Sequence, residues 1–267
     1  MKKLSLSIIL FLYSITALAW TQTAPRPMAQ CAVDAPYGFP SGKQGTPLCR
    51  LAYATTVDNS AKLPIWTVWT ITPAEAIGCI PRTNAFVADQ SIPKGQRAEP
   101  DDYAGTGYDK GHVAPDGDLS FDQQVEYESF LMTNMMPQSG GLNRGIWKLL
   151  ETYTRGWAAQ KNHNITVYAG PIYNAQDKTI GVNKVVVPHA FYKIVIDNTT
   201  KEVLAFIFPH AGNQGTDISV VQSSVTEVER QTGIKFPLPQ GAVLNKSAKD
   251  FPVDFGALTK AKQVKCK

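Results

Sequence analysis

The composition and order of the apolar segments constrain this sequence more than any other feature. Within 267 residues, several short segments are rich in β-branched and aromatic residues, which are typical of strands. Helical segments occur among them without the regular alternation that a parallel βαβ sheet requires. The sequence therefore predicts an α+β fold with a central mixed or antiparallel sheet and flanking helices. The predicted strands are 48–57, 65–71, 165–169, 184–187, 191–196 and 203–208.

Helices are predicted from apolar residues that recur at helical spacing. In the longest candidate, Ile146, Leu150 and Trp157 belong to one apolar stripe. Gly233 is expected to end the last candidate, because glycine readily adopts the left-handed conformation found after a helix. The predicted helices are 123–131, 143–160 and 219–231.

Residues 1–19 have the three parts of a secretory signal peptide. Lys2 and Lys3 supply positive charge, an apolar run follows, and Ala17-Leu18-Ala19 provides the small residues that precede a signal-peptidase cut. A membrane anchor is the alternative, but a span needs about 20 apolar residues and this run is shorter. We therefore expect a secreted or periplasmic protein without membrane contact after cleavage.

All four cysteines follow the predicted cleavage site. In an oxidising compartment an even number of cysteines favours two disulfides, for which three pairings exist. Pairing Cys31 with Cys49 would tie down an N-terminal extension and would leave Cys79 for Cys266. A zinc site is the competing interpretation, and the lack of a Cys-x-x-Cys pair argues against it.

Composition indicates a folded chain with no strong bulk charge. Hydrophobic residues make up 43% and charged residues 18%, which excludes a disordered protein. The net charge of +4 is modest, so nucleic-acid binding must be argued from local residues. Residues 20–44, rich in proline, glycine and glutamine, predict an irregular N-terminal arm, and 45–267 are expected to form one domain. The turn-rich segment 78–110 is long enough to indicate a functional loop.

Side chains with catalytic chemistry occur in three ordered motifs. The first is Asp-Lys-Gly-His-Val-Ala-Pro at 109–115, the second is Thr-Asn-Met-Met-Pro-Gln at 133–138, and the third runs from Asn143 to Glu151. Together they suit phosphodiester hydrolysis, which requires a base for water, cations beside the phosphoryl oxygens and stabilisation of the leaving oxygen.

Each motif supplies part of that chemistry. His112 is the candidate base, because an ordinary histidine pKa near 6.5 leaves much of it neutral at pH 7. Asp109 or a backbone carbonyl could orient its ring. Asn143 is a neutral oxygen ligand that, with waters, suits Mg²⁺, and Glu151 could hold one of those waters. Asn134 and Gln138 are expected to brace the site by hydrogen bonds. The candidate phosphate contacts are Arg82, Arg97, Lys110 and Arg144.

A regular helix from Asn143 to Glu151 would separate these two residues. They would lie about 12 Å apart along the axis and point in directions that differ by about 80°. Both can serve one hydrated ion only if Asn143 lies at or before the helix start, a position that asparagine favours.

The three motifs together resemble those of the DNA/RNA non-specific endonucleases, over roughly residues 45–235. The resemblance implies a ββα-metal (His-Me finger) active site, in which His112 activates water, Asn143 binds a single Mg²⁺ directly and Glu151 reaches the ion through water. Arg82 matches the family's upstream arginine, which contacts phosphate. The resemblance also implies cleavage of DNA and RNA through contacts to backbone phosphates, leaving a 5′-phosphate, with Mn²⁺ as a substitute for Mg²⁺.

One residue departs from the family pattern, because Lys110 stands where the family usually has arginine. Lysine keeps the charge but lacks the planar fork that binds phosphate through two hydrogen bonds. Lys110 therefore motivates one alternative function, a nucleic-acid-binding homologue with weakened catalysis. A phosphodiesterase for a smaller phosphate is a separate alternative. An open groove with basic rims would favour a polymer, and a closed pocket a small substrate. The sequence leaves the oligomeric state open.

Overall fold

A computed structural model describes residues 21–211 and 215–267. The predicted signal peptide, residues 1–19, lies outside the described residues. Among the described residues, no helix is long and apolar enough to cross a membrane.

The fold is built on a seven-stranded sheet in which every neighbouring pair is antiparallel. This confirms the predicted α+β class and the central antiparallel sheet. In spatial order the strands are β1 (Thr46–Cys49), β2 (Ala54–Asp58), β3 (Leu63–Ile71), β6 (Ile165–Ile172), β9 (Ala190–Asp197), β10 (Val203–Pro209) and β11 (Gln222–Ser223). Two short strands of two residues each, β7 (Thr179–Ile180) and β8 (Val185–Val186), pair antiparallel as a separate sheet.

Helices cover both faces of the sheet. They are α1 (Asp116–Leu119), α2 (Gln123–Ser129), α3 (Gly140–Leu142), α4 (Lys148–Lys161), α5 (Val225–Thr232) and α6 (Phe255–Lys265). A π-helical segment, Asn143–Trp147, links α3 to α4. The predicted helix at 219–231 begins later than expected, because Ser224 is its N-cap, while Gly233 ends it at φ 70° as predicted.

Alternation along the strands divides the apolar side chains between two cores. In β9, Phe191 and Val195 contribute to the core under α4, whereas Tyr192 and Ile194 contribute to the core on the opposite face. Such alternation follows from the two-residue period of a strand. The α4 face also carries the predicted site, so the side of β9 with Phe191 and Val195 faces the three motifs.

The predicted single strand 48–57 is wrong, because the structure has a hairpin of β1 and β2 there. Cys49 pairs with Ala54, and Arg50 stands in the turn between them. The Arg50 guanidinium is buried against the carboxylate of Asp89 and also donates to Ser91 Oγ at 2.9 Å. Burying a cation requires such partners, so the tertiary contact holds the turn at a place where propensity alone favours a strand.

The N-terminal arm lies against the sheet rather than apart from it. It contains a 3₁₀ helix, Met28–Val33, and is otherwise mostly irregular. The disulfide between Cys31 and Cys49 joins this helix to β1, and Cys31 is fully buried in the second core. The arm therefore completes the apolar cover of the face opposite α4.

A small two-stranded sheet carries the first two motifs. Its strands, β4 (Tyr108–His112) and β5 (Met135–Ser139), were not predicted, and they pair antiparallel with His112 opposite Met135. The chain continues from β5 through α3 into α4. This order of two strands and a helix gives the ββα unit that the resemblance implies.

The second disulfide joins Cys79 to Cys266, so both favoured pairings are confirmed. Cys266 follows α6, a helix that was not predicted. The bridge closes a sequence separation of 187 residues and holds α6 against the segment that precedes Arg82.

We expect the buried Arg50–Asp89 pair to be important for stability. Burial disfavours ionised Asp89, but Arg50 and the hydrogen bonds from Thr133 and Ser91 outweigh it and lower the pKa of this carboxyl. Asp89→Asn should lower the free energy of unfolding by about 3 kcal/mol, because it leaves a buried guanidinium without its counter-ion. Urea unfolding followed by tryptophan fluorescence measures the loss.

The matched control for this prediction is Arg230→Gln, which removes an exposed pair with Glu227. Its unfolding midpoint should stay at the wild-type value, since exposed pairs contribute little. Equal midpoints for Asp89→Asn and the wild type would show that the buried pair is dispensable.

Candidate active site

A cleft of about 600 Å³ brings together the predicted catalytic and phosphate-contacting residues. The ends of β4, the start of α1 and one side of α4 line it. Seven of its lining residues were predicted from the motifs and the upstream arginine: Arg82, Asp109, Lys110, His112, Asn143, Arg144 and Glu151.

His112 is held in an aromatic cage at the end of β4. Its ring packs edge-on to Phe130, at 4.8 Å between centroids, and lies 5.8 Å from Phe86. Its backbone carbonyl accepts a hydrogen bond from Trp147 Nε1 at 3.2 Å. Burial, and secondarily the charge of Arg82, lower the pKa of His112 to about 3. The imidazole is therefore neutral at pH 7.

The two ring nitrogens of His112 differ in their surroundings. Nε2 is fully enclosed and has no hydrogen-bond partner among the described residues. Nδ1 is not enclosed in this way, and it makes no hydrogen bond within the described chain. The nitrogen that is open to the cleft is therefore Nδ1.

Asp109 does not orient His112, in contrast to one of the two predicted possibilities. Its carboxylate instead accepts hydrogen bonds from Asn143 Nδ2 at 2.9 Å and from both Nε and an Nη of Arg144, at 2.9 and 2.6 Å. Residues three apart on a strand point to opposite faces, so Asp109 and His112 diverge. Arg144, expected at a phosphate, forms this ion pair with a side chain that is 74% exposed.

Asn143 is not a helix N-cap, but it lies before Lys148, where α4, the helix that carries Glu151, begins. Ser139 precedes the first helical turn, and Asn143 lies inside the helical run. The chain instead bends at Gly145, whose φ of −98° and ψ of −120° are not helical. This bend changes the direction between Asn143 and Glu151, so both side chains line one cleft.

Glu151 lies in a buried network of charges that sequence reasoning missed. Lys193 from β9 places its ammonium 3.3 Å from Glu151 Oε1 and 4.0 Å from the centre of the Trp147 ring. Burial raises the pKa of Glu151, and Lys193 opposes that rise. Burial likewise lowers the pKa of Lys193, against the attraction of Glu151 and Asp118. A single lysine within the apolar strand sequence Ala-Phe-Tyr-Lys-Ile-Val-Ile was the available signal.

Asp118 extends this network towards the opening of the cleft. It accepts hydrogen bonds from Trp69 Nε1 at 2.9 Å and from Arg155 Nη1 at 2.7 Å. Arg155 lines the cleft together with Lys148, and neither was predicted as a site residue. The rim is thus more basic than the motifs alone indicated.

Of the two candidate phosphate contacts Arg82 and Arg97, only Arg82 is among the residues that line the cleft. The Arg82 guanidinium pairs with Asp116 and lies 4.8 Å from the Phe130 ring, with 42% of its side chain exposed. Arg97 is buried and donates to backbone carbonyls and to Glu99, away from the cleft. Lys110 projects its ammonium over the Phe86 ring at 5.2 Å. Arg82 and Lys110 therefore border the same space as His112.

Asn134 supports the site as expected, whereas Gln138 does so differently. The Asn134 side chain exchanges hydrogen bonds with the backbone of Ala114, at 3.0 and 2.8 Å, and thereby fixes the turn after His112. Gln138 is buried, but neither polar atom of its amide has a partner among the described residues. It was expected to brace the site by hydrogen bonds, and it instead packs against Gly111 on the neighbouring strand.

The donor atoms of the cleft fit a hard, hydrated cation. Asp109 engages the amide nitrogen of Asn143, which leaves Oδ1 without a hydrogen-bond partner among the described residues. Glu151 supplies a carboxylate nearby, and no group of three or more histidine, cysteine or acidic side chains within 21–211 and 215–267 could hold a metal. One neutral oxygen with one carboxylate suits Mg²⁺, which retains most of its water.

A side chain at position 111 should destabilise the fold while Gln138 is present. A Cβ at position 111 would lie 2.0 Å from Gln138 Oε1. Gly111→Ala should therefore lower the free energy of unfolding by about 1–3 kcal/mol through overpacking. In a double-mutant cycle measured by urea unfolding, Gly111→Ala/Gln138→Ala should be more stable than Gly111→Ala alone. A double variant no more stable than that single variant would disprove this steric explanation.

The neutral state of His112 should make stability depend on pH. Its folded pKa of about 3 lies below the value near 6.5 of an unfolded chain. Stability from this group is therefore fully present above pH 6.5 and declines as the pH falls towards 3. Between pH 7.5 and pH 5.0, in EDTA, the wild type should lose about 2 kcal/mol more than His112→Asn.

Urea unfolding of both proteins at the two pH values measures this difference. All other titrating groups are shared, so the variant subtracts their contribution. Parallel losses in the two proteins would mean that burial does not suppress protonation of His112.

Known proteins are similar to this chain in sequence and in fold. A sequence model of DNA/RNA non-specific endonucleases matches residues 35–240. The chain is 32% identical over 218 residues to a nuclease of Nostoc sp., covering 74% of this chain and 78% of that protein. It is 29% identical over 231 residues to the mitochondrial nuclease EXOG of Mus musculus, covering 79% of this chain and 62% of that protein.

A solved structure gives the same result. EndoG, in its inhibited complex with EndoGI, matches with a TM-score of 0.71 at 28% identity, covering 79% of this chain and 91% of that chain. Since the family match extends over more than half of the sequence and the ββα site is in place, the chain belongs to the DNA/RNA non-specific endonuclease family.

Proposed function

We propose that this chain is an exported, metal-dependent endonuclease that hydrolyses phosphodiester bonds in DNA and RNA without sequence specificity. The observation that carries the proposal is one cleft that joins a neutral buried histidine, a free asparagine oxygen and several cations. Export rests on the signal-peptide pattern of residues 1–19 and is supported by two disulfides, which are typical of oxidising compartments.

The metal has a defined place in the proposal. Asn143 would bind it directly through Oδ1, and Glu151 would hold one of its waters. A bound Mg²⁺, or Mn²⁺ in its place, supplies positive charge that stabilises the phosphoryl and leaving oxygens. Asp109 contributes by fixing the Asn143 amide, so that the oxygen and not the nitrogen faces the cleft.

His112 acts as the general base in this mechanism. Its Nδ1 takes a proton from water as the water oxygen attacks phosphorus, and the bond from phosphorus to the 3′ oxygen breaks. The products are a 5′-phosphate and a 3′-hydroxyl, whose proton comes from solvent. Nε2 stays enclosed against the aromatic cage, which holds the ring in one orientation.

The charge of Arg82 links substrate binding to the basicity of His112. In the free protein this cation helps to lower the histidine pKa. A substrate phosphate beside Arg82 would offset that charge, so His112 becomes a better base when substrate is present. Arg82 and Lys110 thus contact phosphate and tune the base at the same time.

The shape of the cleft favours a polymer over a small phosphate. Arg144 is largely exposed, and Arg82, Lys148 and Arg155 line the same opening, so a strand can pass along the rim. These side chains would contact the backbone phosphates, which carry no sequence information. This supports DNA and RNA as substrates and disfavours the alternative of a phosphodiesterase for a smaller molecule.

Cleavage of plasmid DNA and of RNA by oxidised mature protein, from Trp20 onwards, tests the proposal. Both polymers should be cut with Mg²⁺ and neither with EDTA. His112→Ala should lower the rate by about 10²–10⁴-fold, because the base is lost, while DNA binding persists. Lys235→Ala, which removes a lysine paired with Glu229, serves as the control and should retain full activity.

Two outcomes would contradict the mechanism. Wild-type cleavage by His112→Ala would exclude His112 as the base. Binding without cleavage by the wild type would instead favour a weakened homologue, and a large gain of turnover in Lys110→Arg would then identify the lysine as the cause.

A further inference from the structure

We propose that α6 and the residues after it form a second nucleic-acid-binding surface, which contacts backbone phosphates a few nucleotides from the bond that is cut. The inference rests on the proposed function and adds a substrate contact outside the catalytic cleft. It concerns a segment that lies beyond the family match, which ends at residue 240.

The charge of this segment is uniform. Lys260, Lys262, Lys265 and Lys267 are its only side chains with a formal charge, and 255–267 contain no aspartate or glutamate. The positive charge on these four lysines is as large as the formal net charge of the entire sequence, +4. Within the described residues none of them forms a salt bridge, whereas Lys235, Lys246 and Lys249 each pair with a carboxylate. The segment therefore presents unneutralised positive charge, which is complementary to a polyanion.

The helix contributes little to the core. None of its residues is buried. Its first residue, Phe255, packs edge-on against Tyr153 of α4 at 4.9 Å, and Asp254 before it exchanges hydrogen bonds with Gln160. An exposed helix of 11 residues is marginal without tertiary support. The anchors at its ends therefore determine where it lies.

The C-terminal anchor holds the end of α6 near Arg82, which lines the cleft. Cys266 is bridged to Cys79 with 5.2 Å between Cα atoms, and Arg82 follows three residues later. Because each residue spans at most about 3.8 Å, the Cα atoms of Cys266 and Arg82 are within about 17 Å. The segment between them runs along the end of α1, where Ile80 N donates to Ser120 O at 2.9 Å.

That distance corresponds to a short length of substrate. Phosphates along one strand of duplex DNA advance about 3.4 Å each, so at most about five nucleotides separate Arg82 from the C-terminal end of α6. A polymer can therefore occupy the cleft and α6 at once, whereas a single phosphodiester cannot. Lys265 is already engaged, since its Nζ donates to Ala74 O at 2.6 Å. Lys260, Lys262 and Lys267 remain as candidate phosphate contacts, with Lys260 and Lys262 on different sides of the helix.

The test compares two triple variants with the same change in net charge. Lys260→Gln/Lys262→Gln/Lys267→Gln removes the proposed contacts, and Lys235→Gln/Lys246→Gln/Lys249→Gln removes paired lysines elsewhere. Affinity for a 30-base-pair duplex is measured against salt concentration, with EDTA present to prevent cleavage. The slope of log K against log [salt] should weaken by about 0.9 for each phosphate that the protein no longer neutralises, and thus by up to about 2.7 in the first variant.

The control variant should keep a slope close to that of the wild type. Equal slopes for the two triple variants would overturn the proposal, because charge alone and not position would then matter. Both variants should hydrolyse bis(p-nitrophenyl) phosphate with Mg²⁺ at the wild-type rate, since this substrate reaches only the cleft. Loss of that activity in the first variant would also count against a separate surface.

Breaking the anchor tests the placement of the helix. Cys79→Ser/Cys266→Ser keeps every lysine but frees the C-terminal end of α6, so the salt slope should weaken towards that of the lysine variant. A wild-type slope in this variant would exclude a role for the bridge in positioning the surface. If the wild type binds duplex with the expected lysine dependence yet cleaves neither substrate, the proposed function fails while the binding surface remains.

Discussion

Trp147 connects the catalytic motifs to the sheet, and the geometry of the cleft depends on that contact. Its indole nitrogen holds the backbone carbonyl of His112, and its ring packs edge-on against Phe191 and Phe208 of the central sheet. The ring also lies beneath the ammonium of Lys193. One buried side chain thus joins β4, the helical segment and the sheet. The position of His112 is consequently tied to the central sheet.

Burial favours the neutral form of each titratable group around this contact. It lowers the pKa of His112 and keeps its imidazole neutral at pH 7. It also disfavours the charge on Glu151, and the structure compensates with Lys193, itself buried. Breaking such a pair leaves an uncompensated buried charge, which costs more than the intact pair contributes. Keeping the Glu151 carboxylate charged in a buried site is therefore energetically costly. Lys193, from β9 of the sheet, supplies the counter-charge that offsets this cost.

Much of the fold was predictable because strands and helices leave periodic patterns. The strands at 65–71, 191–196 and 203–208 and the long helix agree with the structure to within a few residues. The failures have local causes. The short strands β4 and β5 consist of motif residues with little apolar alternation. The hairpin at Arg50 depends on Asp89, which lies 39 residues away in sequence.

The sequence by itself determined the chemistry: which residues form the motifs, which groups can act as base and ligand, and which cysteines were available to pair. These properties belong to individual side chains and to their spacing. Tertiary structure alone decided how those groups are used. Asp109 hydrogen-bonds Asn143 rather than His112. Arg82 lines the cleft, whereas Arg97 is buried away from it. Lys193 pairs with Glu151 from a distant strand. Direction, burial and distant partners set these outcomes, and none of them can be read from residues that are neighbours only in sequence.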